Sequence, residues 1–470
     1  MTASCFQLIF GRIYTFYSPK YIFLGLIGLF EVGSAICGSA PNSVAFIIGR
    51  AIAGVGSAGI MSGAIVLMLS VLPLAKRPLW QGFFGAVFGI ASIIGPLLGG
   101  AFTTNVSWRW CFYINLPIGG VAMLIIFFLL PQTPAHQQGL TFRQKIGKLD
   151  LLGELFLFPS IICLLLGLQW GGTTYAWSNG RIIALFVLFA VLLIAFALVQ
   201  IFMQKTATIP AAVIKNRSII GGVWFNFCLS STMMALVYFI PTWFQAIKGT
   251  SAVRSGINTL PQVLALVLGT ISSGQVVGRL GYYTPLAMAS AVIMPLGAGL
   301  ISTWNLNTST GMWIGTQILF GFGTGIGMQQ ANLAAQTVLK RPDVPTGIAL
   351  MFFAQQIGGA IFISVGENVF STKLVSGLVK LVPSLSPETI VNTGATDLRK
   401  IVPALDLHLV LEVYNSALRQ VFIVGTAMAC IAAIGAFSLE WRSVKSKEGS
   451  GGKVPPKTKT DAAGTPKAEV

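Results

Sequence analysis

A chain of 470 residues with 54% hydrophobic side chains, 9% charged ones and a mean hydropathy of +0.79 carries more apolar surface than one water-soluble core can hide. Its 30 Lys and Arg against 13 Asp and Glu give a net charge of +17; in so apolar a chain that excess is read loop by loop across a membrane, and nucleic-acid binding is excluded. Six scattered Cys without paired spacing exclude a disulfide framework and a zinc site, and His136 and His408 alone are too few for a histidine-ligated metalloenzyme.

In chain order, residues 1–10 are apolar but too short to cross a bilayer, and a polar turn follows from Gly11 to Lys20. A hydrocarbon core about 30 Å thick needs about 20 apolar residues per helix. Twelve such windows follow, at 21–38, 43–70, 79–102, 110–130, 151–170, 182–203, 218–240, 256–278, 284–303, 312–336, 345–370 and 418–439. All are too long and continuous for strands, and their Gly and Ala let helices approach closely in lipid, so the predicted fold class is an all-α polytopic membrane protein embedded in the lipid bilayer. A cytosolic loop is predicted over 131–150, a cytosolic linker over 204–217, a long external connection over 371–417 and a disordered basic tail over 441–470. Within the external connection, Leu405 to Leu418 is amphipathic and is expected to lie along the membrane surface.

Twenty of the 30 Lys and Arg fall in alternate connections and the tail, from Arg12 and Lys20 through Lys76 and Arg77 to Lys340 and Arg341, whereas nine fall on the other side. Both termini are therefore expected to be cytosolic. No GxxxxGK[ST] occurs and no cofactor is expected, so a transport step here would draw on an ion gradient.

Two stretches repeat weakly between the halves of the chain: Phe10-Gly11-Arg12 with Ser18-Pro19-Lys20, and Gly278-Arg279-Leu280-Gly281, each between apolar runs. Such repetition is what alternating-access transporters carry. Gly82, Ala91, Gly95, Pro96, Gly99 and Gly100 form a stronger pattern on one predicted helix, where proline removes a ladder donor and glycines admit a neighbour, so a bent, closely packed span is expected. This pattern resembles the antiporter motif of the major facilitator superfamily, with Ala91 at a position usually Gly. Arg50-Ala51-Ile52-Ala53-Gly54-Val55-Gly56 resembles the superfamily's fourth-helix motif, with Ala53 at its usual Gln. Ser107 to Pro117, Asp150-Leu-Leu-Gly153 and Tyr238 to Gly249 resemble the fourteen-span drug:proton antiporter group, above all its fungal toxin and multidrug efflux members.

The resemblance implies two pseudo-symmetric halves, 1–130 and 218–440, with an inserted helix pair at 151–203, the site of exchange between the halves, and a monomer acting on a small-molecule substrate. It also implies that the first helix and most of the second are missing ahead of Met1, so that upstream sequence is expected to encode them. The implied membrane is the plasma membrane, the vacuolar membrane being the alternative.

Charges inside spans are costly and so mark candidates for proton and charge relay: Glu31, Arg50 and Glu367. Glu31 and Arg50 lie at matched depth on either side of the turn Ser39 to Asn42, and two readings stand open, an ion pair or a free carboxyl that carries a proton. Glu367 lies near the outer end of its helix, which suits an end cap; Asp150 and Glu154 suit capping at a helix start. Trp224, Gln329, Gln330, Gln355 and Gln356 are candidates for the cargo cavity, the indole for planar or cationic cargo and the amides because a buried amide needs a partner. The reading as a whole is a proton-coupled exporter of an amphipathic or hydrophobic drug, toxin or secondary metabolite, not an enzyme; a nutrient or siderophore permease and a transport-dead truncated protein are the alternatives.

Overall fold

The computed structural model describes residues 2–131, 141–172, 174–204, 206–381 and 402–445. Residues 132–140 of the predicted loop, 382–401 of the predicted external connection and the tail from 446 lie outside the described residues. Fourteen helices carry the fold: α1 Thr2–Phe16, α2 Pro19–Ser39, α3 Ser43–Val71, α4 Arg77–Asn105, α5 Trp110–Leu129, α6 Leu151–Trp170, α7 Gly180–Phe202, α8 Arg217–Ala246, α9 Ala252–Leu280, α10 Thr284–Ile301, α11 Thr310–Gly327, α12 Gln330–Val338, α13 Val344–Leu381 and α14 Ala404–Ser438. Among the described residues, ten helices are long and apolar enough to cross a membrane.

Helix starts are written locally. The side chains of Asn42, Asp150, Asn216, Ser251 and Ser309 each accept from a backbone N–H one to three residues into the helix they open, and Pro19, Pro78 and Pro285 occupy first-turn positions where no donor is lost. Asp150 and Glu154 thus start α6 as expected, and Asp150 also accepts from Thr208 N–H (2.9 Å) and Thr208 Oγ1 (2.8 Å), tying the linker to the inserted pair.

Four boundaries differ from the sequence reading. Instead of a polar turn, the first helix runs on through Gly11 to Phe16, because Tyr14, Thr15 and Phe16 are buried against α3 and α13. The window 312–336 is two helices broken at Met328 and Gln329, where α11 is diluted by Gly321, Gly323, Gly325 and Gly327. In place of a connection over 371–417, α13 continues to Leu381 and α14 begins at Ala404. The stretch Leu405 to Leu418 does not lie along a membrane surface: it is the first part of α14, and Val410, Val413, Tyr414 and Leu418 are buried against Phe370, Leu374 and Leu378 of α13. Apolar side chains recurring at helical spacing on both partners make a paired extension better than a helix spread on lipid.

Helices α1, α2, α3 and α5 form one bundle and α8 to α14 another, each held by small residues; α4 touches α5 at one end and lies mainly along α9. A Cβ on Gly435 of α14 would meet the Gly221 carbonyl oxygen of α8 at 2.5 Å, and one on Gly56 of α3 would meet the Phe30 nitrogen of α2 at 2.7 Å, so backbones touch at these crossings. The end of the second bundle opposite the Arg12, Arg77, Arg279 and Arg341 turns is fixed by aromatic residues of the Tyr238 to Gly249 stretch. Trp243 Nε1 donates to Asn415 Oδ1 (2.8 Å), Asn415 Nδ2 donates to the Trp304 carbonyl (3.1 Å), and the two indoles lie 4.7 Å apart. Lys248 Nζ donates to the carbonyls of Leu306 and Thr308, and its burial there lowers its pKa from the usual lysine range. Trp243→Ala should cost this bundle about 3–5 kcal/mol, read as a large fall in melting temperature of the purified protein; a melting curve like wild type would contradict that packing.

Candidate functional site

The two bundles face each other across α1 with α13 and α4 with α9. At the end bearing the basic turns the contact is closed. A Cβ on Gly11 of α1 would meet Ala349 Cβ of α13 at 2.6 Å, and Thr15 Oγ1 donates to the Gly11 carbonyl (3.1 Å) while lying 3.5 Å from the Pro342 carbonyl. Ile65 and Met68 of α3 pack with Val344 and Ile348 of α13. On the other side of the interface a Cβ on Gly82 would meet the Thr270 carbonyl oxygen at 2.7 Å, one on Gly85 would meet Thr270 Cγ2 at 2.6 Å, and one on Gly274 would meet the Pro78 carbonyl oxygen at 2.5 Å.

The antiporter-like motif is therefore split. Gly82 packs α4 on α9 as expected, whereas Gly95, Gly99 and Gly100 have nothing within 4 Å of the space a Cβ would take. The expected close approach at these three positions is corrected. At Gly95 and Gly99 this follows from direction: they lie on sides of α4 turned away from the one that carries Gly82, Gly85 and Gly89 onto α9, and the start of α9 at Ala252–Asn258 still touches α4. The helix is continuous through Pro96, of which only the backbone is described.

Above the closed end lies an apolar layer contributed by three helices and a break: Phe88 of α4, Met233, Met234 and Val237 of α8, Leu266 of α9, and Met328 at the α11–α12 break. Thioethers suit a layer that must adapt, since methionine has three rotatable bonds and a polarizable sulfur. Toward the basic end from it come amides. Gln356 Nε2 of α13 donates to Gln7 Oε1 of α1 (2.8 Å), and Ser4 Oγ donates to Gln356 Oε1 (3.5 Å), so the two halves share a polar contact. Gln330 Nε2 donates to the Ile326 carbonyl (2.7 Å) and Asn332 Nδ2 to Gln329 Oε1 (3.2 Å). Gln81 of α4 is fully buried with neither amide atom bonded, and Gln7 Nε2, Gln330 Oε1 and Asn332 Oδ1 are buried without partners.

The sequence-derived candidates divide accordingly. Gln329, Gln330 and Gln356 belong to the amide layer, and Gln355 is half-buried one residue before Gln356. Glu31 and Arg50 do not pair: Glu31 lies against Gly119 of α5 with Oε2 unbonded, and Arg50 is exposed on α3. Equal depth fixes height along two helices but not the direction each side chain faces. Glu367 is exposed within α13, well before its end at Leu381, and interacts electrostatically with Tyr238 and Tyr414, so the expected end position is corrected: the helix runs on because its continuation packs on α14. Trp224 is 39% exposed and donates its Nε1–H to the Ile431 carbonyl of α14 (3.0 Å), so its polar handle joins two neighbouring helices instead of facing the α1–α13 interface. Gln7, Ser4, Gln81, Asn332 and the methionine layer are not among the sequence-derived candidates; isolated amides within apolar runs are the signal that marks the first, third and fourth of them.

The chain is 51% identical over 449 residues to the MFS-type efflux pump MFS1 of Arthroderma benhamiae, covering 95% of this chain and 84% of that protein. It is 50% identical to the rubrofusarin-specific efflux pump aurT of Gibberella zeae (95% and 82% covered) and 48% identical to the efflux pump aflT of Aspergillus parasiticus (95% and 87% covered). Among solved structures, the human organic anion transporter MFSD10 (TETRAN) shares the fold with a TM-score of 0.56 at 12% identity, covering 91% of this chain and 81% of that one. The Major Facilitator Superfamily profile matches residues 1–363. With two helical bundles meeting across α1–α13 and α4–α9, and with relatives near half identity along nearly its whole length, this chain belongs to the Major Facilitator Superfamily, a family of multi-pass membrane transporters and not of enzymes.

Proposed function

We propose that the chain exports a small amphipathic or hydrophobic secondary metabolite, toxin or drug in exchange for protons, with the basic turns and both termini in the cytosol and the chain acting as a monomer in the plasma membrane. The observation that carries the reading is the interface between bundles, which is backbone-close at its basic end, at Gly11, Gly82 and Gly274. With the basic turns in the cytosol, this is a state shut toward the cytosol, one of the two that a rocking exporter alternates between. Relatives at 48–51% identity named as efflux pumps support the direction. The proton is assigned because no nucleotide-phosphate loop occurs in the sequence, leaving an ion gradient as the energy source. Glu31, buried on one oxygen and without an ion partner, is the first proton-relay candidate, and Glu367 the second.

Inside-out vesicles carrying the 470-residue chain test this. An acid-inside pH gradient should drive uptake of a planar hydrophobic dye, collapse of the gradient should stop it, and Glu31→Gln should lower the gradient-dependent part by about tenfold or more. Uptake that ignores the gradient would remove the proton from the account.

A further inference from the structure

The turn that joins α6 to α7, at the end opposite the basic turns, folds back on itself. Gly172 has a φ of 75° and its N–H donates to the Tyr175 carbonyl (2.8 Å), which returns the chain and lays the Trp177 indole over Gly171 and Gly172. A Cβ on Gly171 would meet Cζ3 of that indole at 2.6 Å, so a glycine there makes room for the ring, which stacks on Phe186 of α7 and is still 46% exposed. Asn368 of α13 reaches the same place. Its Nδ2 donates to the Leu168 carbonyl of α6 and to the Ser364 carbonyl one turn back (both 2.9 Å), joining the inserted pair to the second bundle, while its Oδ1 is buried without a partner.

Between α13 and the inserted pair lies a groove of about 380 Å³. One wall is the α13 face that carries Val365, Asn368, Val369, Thr372 and Lys373; the other is Leu168 and Trp177. At 100° per residue this face is turned away from Phe370, Leu374 and Leu378, which pack on α14, and from Ala349 and Gln356, which meet α1. The groove is therefore separate from the interface between the bundles. Its polarity is graded: Val365 and Val369 supply the apolar part, and Thr372 and Lys373 stand at the far end, with Lys373 about 12 Å along the helix from Val365. Asn368 lies about 36 Å along α13 from Val344, which puts it at the far boundary of a hydrocarbon layer about 30 Å thick.

A Cβ on Gly172 would lie 2.5 Å from Asn368 Oδ1 and 2.6 Å from Trp177 Nε1. Acceptor and donor are thus at most about 5 Å apart, a gap that one hydroxyl bridges by donating to the first and accepting from the second. We infer that this groove binds a membrane sterol, with its hydroxyl between Asn368 and Trp177 and its fused rings along Val365, Val369 and Leu168. A rigid, flat ring system suits an exposed indole and stiff β-branched side chains. Phosphodiester and ester oxygens of a phospholipid only accept, so they leave Asn368 Oδ1 unmet, whereas a hydroxyl both donates and accepts. The groove residues include no carboxylate, so a cationic amphiphile finds no counter-ion there. Polar head at the boundary and apolar body inward is also how a sterol stands in a leaflet. Bound there, it adds contacts between the inserted pair and α13 beside the Asn368 to Leu168 hydrogen bond.

The test uses the purified full-length chain in detergent micelles and radiolabelled cholesterol as the probe. Binding should saturate at one sterol per chain, and 5α-cholestane, which lacks the hydroxyl, should compete about tenfold less well than unlabelled cholesterol, the loss of roughly one hydrogen bond. Asn368→Leu should weaken cholesterol by about tenfold or more. That variant also loses two bonds to carbonyls, so Val369→Trp, which fills the groove and keeps Asn368, is measured beside it and should bind cholesterol no better. Cholesterol should raise the melting temperature of the wild-type chain and leave that of Val369→Trp unmoved. Absence of saturable binding, equal competition by 5α-cholestane, displacement of cholesterol by phosphatidylcholine, or wild-type affinity in Val369→Trp would overturn the inference.

Discussion

Gly82→Val should nearly abolish export, and Gly99→Val should leave it close to wild type. Both glycines belong to one motif on α4, but a Cβ at Gly82 would meet the Thr270 carbonyl oxygen at 2.7 Å and Ile271 Cα at 3.3 Å, whereas nothing lies within 4 Å of the same position at Gly99. The obstacle at Gly82 is backbone, which cannot turn aside as a side chain can. Pushing α4 from α9 costs about 1–3 kcal/mol in overpacking and misaligns the surface on which one half must rock against the other. Export per inserted molecule should fall by about tenfold or more with Gly82→Val, with both variants present in the membrane at wild-type level. Equal losses at the two positions would mean that Gly99 meets a partner in another state of the cycle.

Ile348→Asp should hold the cytosolic end open. Ile348 is 0% exposed and packs with Ile65, Met68 and Val344, with Leu69, Leu72, Leu339 and Phe352 around them. A carboxylate there would sit among apolar side chains, bordered by Arg77, which donates to the Leu69 and Leu72 carbonyls, and a buried charge left unpaired costs about 3–5 kcal/mol. The cost falls only on the shut end, so the balance moves toward the open state by roughly 10²- to 10⁴-fold. A water-soluble maleimide should then label Thr15→Cys faster in the Ile348→Asp background, and export should fall because the outward state is scarcely reached. Unchanged labelling would contradict the assignment of these four side chains to a gate.

How far the sequence carried the reading depends on what kind of information each feature needs. Spans are set by local apolar length, and the limits of α2, α3, α6 and α8 at their N-terminal ends lie within two residues of the expected windows. The extensions of α13 and α14 were hidden because Val410, Tyr414 and Leu418 read as one face of an isolated amphipathic helix until Phe370, Leu374 and Leu378 are placed against them. The α11–α12 break was masked by an apolar run that glycines thin without interrupting. At the site, Gln330 and Gln356 are legible as amides in need of partners, but Gln7 is not, because its stretch reads as a stub too short to span, and its contact appears only when α13 lies beside it. Depth matching of Glu31 and Arg50 failed for a different reason: Gly33 and Gly49 bring α2 and α3 together through Ala53 and Cys37, which turns Glu31 toward α5 and leaves Arg50 outside the contact.

The central claim is that a proton gradient drives this chain to move a planar hydrophobic compound from the cytosolic side to the other. Its most direct measurement is the rate of quinizarin uptake into inside-out vesicles holding the 470-residue chain, with and without an acid-inside pH gradient. The account predicts uptake against a concentration gradient that stops when the pH difference is collapsed and vanishes in Gly82→Val; accumulation that is indifferent to the pH difference, or equal in vesicles without the chain, would contradict it.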